Sequence, residues 1–225
     1  MLVVVGGMIG LGKTTLAEYL SEKLNAEIYY ESVDDNPILP LYYTASDDEI
    51  ASNRYPFLLQ LYFLSSRFET IKNASVNATH SFSVIDRSIY EDWYFAKVNN
   101  DLGRISNLEF SIYEKLLTNM LEELDELPKK SPDLMIYLTG SFDTILKRIG
   151  IRGREFEQDI NLVNYYETLW NGYDDWVDNH YHASQVIKID IDKYDVVNNP
   201  ADAEVVIELV KNKLVEMGQL EPATK

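Results

Sequence analysis

The stretch that decides the fold is Leu2-Val3-Val4-Val5-Gly6-Gly7-Met8-Ile9-Gly10-Leu11-Gly12-Lys13-Thr14-Thr15-Leu16. A short β-branched run stops at two glycines, and apolar residues then recur at Leu16, Tyr19, Leu20 and Leu24 with helical spacing. Between strand and helix, Gly7 to Thr14 fits G-x-x-x-x-G-K-[ST] in full, the signature of a phosphate-binding loop. Glycines let the backbone curl so that its N–H groups face phosphate, and the helix N-terminus adds partial positive charge. Gly7, Met8, Ile9, Gly10, Leu11, Gly12, Lys13, Thr14 and Thr15 are therefore expected to bind ATP. Lys13 would reach the β- and γ-phosphates, and the Thr14 hydroxyl would bind Mg²⁺, with Asp86 or Glu31 assisting through water.

Outward from this stretch, short apolar strands alternate with helices. Strands are expected at 27–30, 83–85, 134–138 and 186–189, besides the first at 2–5. Helices are expected at 57–71, 89–98, 107–127, 142–149, 161–179 and 203–217, with Gly218 as a C-cap, and an irregular connection at 38–53. The pattern predicts an α/β fold of the P-loop kinase type: a five-stranded parallel sheet with helices on both faces and a short arginine-rich lid over about 148–160, in a single domain spanning 1–225. Ligands bind such sheets at the carboxyl ends of the strands, and each polar motif here follows a strand.

Composition narrows the partners. The chain has 225 residues, 37 acidic and 20 basic, for a formal charge of −17. That charge repels nucleic acid and anionic membranes. No cysteine is present, which excludes disulfides, thiolate metal sites and a Cys nucleophile. No stretch approaches the ~20 apolar residues of a membrane helix, and the chain reads as cytoplasmic.

The remaining motifs choose among P-loop proteins. Neither Asn-Lys-x-Asp for guanine recognition nor Leu-Ser-Gly-Gly-Gln of an ABC ATPase occurs. Arg148, Arg152 and Arg154 cluster after the fourth strand, as expected of a lid that neutralises charge on a moving phosphoryl group. Glu31 ends the second strand, where a carboxylate could accept a proton from an attacking hydroxyl. Asp86 ends the third, placed for Mg²⁺ or else as a helix cap, and Arg87 follows it. Gln60 and Arg67 lie seven apart and share a face of an otherwise apolar helix, sensible as a pocket wall. Trp93, Tyr94 and Phe95 read as packing.

Taken together, the chain resembles the deoxynucleoside kinase family, most of all its bacterial deoxyadenosine and deoxyguanosine kinases. The likeness rests on the phosphate loop, Tyr-Glu-Ser-Val (30–33), Leu-Leu-Gln-Leu-Tyr-Phe-Leu-Ser-Ser-Arg-Phe (58–68), Asp-Arg-Ser-Ile-Tyr-Glu-Asp (86–92) and Arg-Gly-Arg-Glu-Phe-Glu-Gln (152–158). It implies that Glu31 is the general base for a 5′-hydroxyl and that Gln60 bonds the base. It further implies that Arg67 and Asp92 face the base, Arg87 lies near the 5′-oxygen, and Glu157 binds the 3′-hydroxyl with Tyr42 or Tyr43, Tyr43 preferred. Two departures stand out: Asp86 occupies a position where many relatives have Glu, and the 41–54 connection is longer than in some.

The activity so implied is ATP- and Mg²⁺-dependent phosphorylation of a purine 2′-deoxynucleoside in salvage, the overall likeness favouring deoxyadenosine. The resemblance also implies a homodimer, or a dimer with a sister subunit, through helices 57–71 and 107–127, and feedback inhibition by a deoxynucleoside triphosphate. Two rivals share the phosphate loop. A thymidylate kinase-like nucleoside monophosphate kinase needs extra basic residues for its acceptor phosphate and no general base, and a non-catalytic nucleotide sensor has no use for Glu31.

Overall fold

Strand β1 (Leu2–Gly7) is buried along its whole length, as a central parallel strand covered on both faces must be. In the computed structural model, which describes residues 1–31, 33, 35–76, 81–126 and 131–221, it lies between β3 (Ser83–Asp86) and β4 (Leu134–Thr139). β2 (Glu27–Tyr29) and β5 (Gln185–Asp190) take the edges, giving the order β2-β3-β1-β4-β5 with every pairing parallel. Val5 is in register with Asp86, so the phosphate loop and the Asp-Arg-Ser segment leave the sheet side by side, at the carboxyl ends where ligands bind.

Alternation along β1 sorts the helices. Val3 and Val5 face one core, with α1 (Lys13–Leu24), α8 (Val163–Asn179) and α9 (Pro200–Glu216). Leu2 and Val4 face the other, with α4 (Tyr55–Val76), α5 (Ile89–Asp101) and α6 (Asn107–Asp125). Helix α7 (Phe142–Arg152) sets Ile145 and Ile149 into the first core.

Several expected boundaries move. The 38–53 connection is not irregular: it holds α2 (Leu39–Thr44) and α3 (Asp47–Asn53), the first opened by Pro40 and the second by a Ser46/Glu49 capping box. Helix α7 runs through Gly150 to Arg152 and stops only at Gly153, which takes φ +67°. Arg148 and Arg152 thus stand on a helix rather than in a mobile loop. Beyond it the lid is a 3-10 turn at Glu155–Glu157, and a second such turn at Ile160–Leu162 precedes α8. Helix α6 is described to Asp125, so the expected end at 127 lies outside the described residues. Met217 caps α9, and Gly218 follows it at φ +70°. Among the described residues no helix is long and apolar enough to cross a membrane.

Candidate active site

The phosphate loop needs its glycines for space. Gly7 has φ +132°, and a Cβ there would lie 2.6 Å from the Leu138 carbonyl oxygen. Gly10 and Gly12 both take φ +87°. The side chains of Met8 and Leu11 turn into the core, so these two residues offer a ligand only their backbone. Met8 also uses its carbonyl, which accepts from Lys13 Nζ at 3.0 Å. Burial, with help from the neighbouring Arg87 charge, pushes the Lys13 ammonium down to about 8.

Thr14 donates its hydroxyl to Asp86 Oδ2. The helix-cap alternative for Asp86 fails, because Ser88 holds the N-cap position of α5. Burial, then repulsion from Glu31, raises the Asp86 carboxyl above its ordinary value. Its Oδ1 is buried with no hydrogen-bond partner among the described residues. A hydroxyl beside an unsatisfied carboxylate oxygen at a phosphate loop fits Mg²⁺, which takes one or two protein oxygens and completes its shell with water and phosphate. Among the described residues no cluster of three metal-ligating side chains is present, so Mg²⁺ would depend on those phosphates.

Two clefts meet here. The larger, about 1280 Å³, carries Gly10, Gly12, Lys13, Thr14, Thr15, Asp86 and Arg148 on its walls. The smaller, about 600 Å³ with the open solvent at its mouth, is walled by Ile9, Tyr43, Gln60, Arg67, Arg87, Asp92 and Glu157. Lys13, Glu31, Arg152 and Arg154 belong to both. The structure therefore brings together nearly every residue singled out in the sequence, Gly7, Met8 and Leu11 alone lining neither cleft.

Glu31 stands at the junction. Arg67 donates Nη2 to it and Nη1 to Asp92, and Arg87 Nε lies 3.2 Å from Glu31 Oε1. Burial alone would push the Glu31 carboxyl up; Arg87, Arg67 and Lys13 overcome that and hold it at about 2. In the inner cleft Gln60 Oε1, Arg67 Nε and Asp92 Oδ2 are buried with no partner among the described residues. Buried polar atoms are seldom left so, and these are the atoms a heteroaromatic base would satisfy.

The two candidate tyrosines have different partners, and neither hydroxyl is free, since Tyr43 hydrogen-bonds Tyr166. Tyr42 bonds Asn99 Oδ1 at 2.9 Å and accepts from Arg104 Nη1 at 2.9 Å. Tyr43 stacks on Phe156 of the lid turn with centroids 5.6 Å apart, and burial raises its hydroxyl pKa well above the ordinary value, with Glu157 among the neighbouring charges. The lid is tied down: Arg152 Nη2 donates to Glu157 Oε2, Arg154 Nη1 lies 3.6 Å from Glu157 Oε1, and Arg148 Nη2 donates to Asp195 Oδ1 at 2.8 Å. Further wall residues had not been singled out as such, among them Phe95, Val197 and Asn198. Phe95, expected as packing, lines the inner cleft under the Arg87 guanidinium, 4.7 Å from the ring centroid; its place three residues after Asp92 on a helix was the available signal. Val197 and Asn198 line the outer cleft in the turn after β5, a strand's carboxyl end that held no motif.

Comparison with known proteins identifies the family. The family described as deoxynucleoside kinase matches residues 3–216. The chain belongs to the deoxynucleoside kinase family. It is 44% identical to a deoxyguanosine kinase of Lactobacillus acidophilus over 97% of this chain and 92% of that protein. It is also 44% identical to a deoxyadenosine kinase of the same organism, over 97% and 98%. Among solved structures, deoxyadenosine kinase from M. mycoides with bound dATP superposes with a TM-score of 0.75 at 30% identity, covering 95% of this chain and 99% of that one. The same enzyme with bound dCTP gives 0.76 at 28%.

Proposed function

We propose that this kinase transfers the γ-phosphoryl group of ATP to the 5′-hydroxyl of a purine 2′-deoxynucleoside. The observation that carries the reading is the position of Glu31, a carboxylate shared by both clefts and bonded to Arg67 and paired with Arg87. The purine preference is supported by relatives that carry both deoxyguanosine and deoxyadenosine kinase names at equal identity; likeness does not divide the two bases.

ATP lies along the loop, its phosphates on backbone N–H groups and Lys13. Thr14 and Asp86 would hold Mg²⁺, which would supply neutralisation of phosphate charge. Gln60, Arg67 and Asp92 read the base, and Glu157 with Tyr43 takes the 3′-hydroxyl. Glu31 accepts the hydrogen bond of the 5′-hydroxyl and aims it at phosphorus. Kept ionised, it is a weak base, which suits a loose transition state where the hydroxyl proton turns acidic late. Arg87, Arg148, Arg152 and Arg154 balance charge on the moving group.

A deoxynucleoside triphosphate would act as feedback inhibitor, a reading supported by the dATP and dCTP held by the structural neighbour. Leu108, Ile112 and Leu116 repeat at four-residue spacing on the outer face of α6, and Leu58 is exposed on α4. They support a dimer contact through these helices. The same reading places the enzyme in the cytoplasm, in deoxynucleotide salvage.

The test is ADP release from Mg-ATP with deoxyadenosine, deoxyguanosine, deoxycytidine, thymidine, adenosine, dAMP and dTMP as acceptors. Turnover with a purine deoxynucleoside and little with either monophosphate is expected; turnover with a monophosphate alone refutes the role of Glu31.

A further inference from the structure

Glu91, in the first turn of α5, has no part in the roles above. Its side chain is wholly buried. Four donors converge on it. Oε1 accepts from the Gly7 N–H at 2.9 Å, from Arg87 Nη1 at 3.3 Å and from the Tyr173 hydroxyl. Oε2 accepts from the Ser88 N–H at 3.2 Å. Arg87 in turn donates Nη2 to the Gly7 carbonyl at 3.1 Å and Nη1 to the Tyr173 hydroxyl at 3.2 Å. Arg87 and Glu91 thus hold both backbone groups of the first loop glycine. Arg87 itself sits at φ +68°, an uncommon conformation for a non-glycine residue that the surroundings must maintain. Tyr173 is held in place by stacking on Tyr137, with centroids 5.6 Å apart, and by an edge contact with Tyr94.

We propose that Glu91, backed by Tyr173, is the positioning residue that fixes Arg87 at the junction of the two clefts and ties it to the phosphate loop. The inference rests on the role given to Arg87 in the reading above. A helix cap alone requires one carboxylate oxygen toward Ser88. Here the other oxygen serves donors from β1, from the β3–α5 turn and from α8. A group with four donors and no donor of its own has to be a carboxylate. Glutamine would turn its NH₂ against one of the four, and aspartate is a methylene short.

The experiment compares wild type, Glu91→Gln, Tyr173→Phe, Arg87→Ala and each of the first two variants combined with Arg87→Ala. The readouts are kcat and both KM values, taken well below each variant's melting temperature. Glu91→Gln is expected to lower kcat about 10- to 100-fold, the effect of a misplacement near 1 Å, with each KM within about threefold of wild type. Tyr173→Phe, which removes one hydrogen-bonding hydroxyl, is expected to lower kcat about 3- to 10-fold. In the Arg87→Ala background either change should cost less than about twofold more, because residues acting through one another are not additive.

A folded Glu91→Gln variant with wild-type kcat and a lowered melting temperature would show a cap and overturn the proposal. A loss that multiplies in full on Arg87→Ala would also overturn it. Should Glu91→Gln not fold, Tyr173→Phe decides alone: unchanged kcat refutes the proposal, and a loss that vanishes without Arg87 supports it. Wild-type kcat in Arg87→Ala would remove Arg87 from the reaction and the inference with it. An inactive Arg87→Ala beside an unimpaired Glu91→Gln would sink the inference alone.

Discussion

Replacing Glu31 by glutamine keeps the shape of the side chain and deletes its charge. Arg87, Arg67 and Lys13 lower the carboxyl from 4.5 to about 2, which corresponds to about 3 kcal/mol of preference for the ionised form. Glutamine forgoes that preference. For a chain of this size each kcal/mol moves Tm by roughly 2–4 °C, so Glu31→Gln should melt some 6–12 °C below wild type at neutral pH. The sign follows from a depressed folded-state pKa. The wild-type contribution is fully present above pH 4.5 and is lost as pH falls through 2, so the two melting curves converge in acid. Catalytically, the variant loses the group that orients and accepts the hydroxyl proton, a loss of about 10²–10⁴-fold in kcat. ATP should still bind, and no more weakly than to wild type, because the lost carboxylate lines the outer cleft beside Lys13, where its charge opposes a polyanion. Scanning calorimetry at pH 3–8, coupled ADP release and ATP titration by calorimetry read the three quantities. Turnover within about threefold of wild type would refute the general-base role. Lost ATP binding would show that the variant damages the loop rather than the acceptor side.

Gly7→Ala is expected to lose more than about 3 kcal/mol of stability, since a Cβ meets the Leu138 carbonyl at 2.6 Å on a backbone at φ +132°; chemical denaturation measures it. With Lys13 near 8 in the free enzyme, kcat/KM for ATP should fall above pH 8 as the ammonium loses its proton. At saturating ATP, whose phosphates favour the charged amine, kcat should hold to higher pH. Asp92→Ala leaves Arg67 buried with one carboxylate fewer. It should cost about 3–5 kcal/mol and raise KM for the deoxynucleoside at least tenfold while leaving KM for ATP within about twofold, as steady-state kinetics on both substrates would show.

Most of the sheet was legible because buried parallel strands are continuous apolar runs. All five were expected, each within two residues of its observed ends. Helix ends were less legible where stop signals are ambiguous. Gly150 reads like a break, yet α7 continues through it, because Ile145 and Ile149 are anchored in the core and Gly153 supplies the left-handed turn. The 38–53 segment hid two helices behind Pro and Ser that turned out to be start signals rather than loop residues. Of the site, the phosphate loop and the polar residues at strand ends could be read directly, since their chemistry is unusual for their surroundings. Phe95 could not, because an aromatic wall and an aromatic core look alike in one dimension. Glu91 was hidden for another reason: a glutamate three residues into a helix passes for a cap, and only the fold brings Gly7 and Tyr173 to its far oxygen.

That both clefts share Lys13, Glu31, Arg152 and Arg154 makes their occupants thermodynamically linked. Any factor by which one ligand tightens the other must be returned in equal measure. The sign of that linkage changes during turnover. On the reading proposed above, before transfer a polyanion would face a neutral nucleoside across the common wall, and the shared arginines could serve both without repulsion between them. After transfer the wall separates two anions, ADP and a monophosphate, which compete for the same guanidinium groups and oppose each other at close range. The same few side chains that would gather the substrates would thereby help to drive the products apart, with no separate device to provoke either departure.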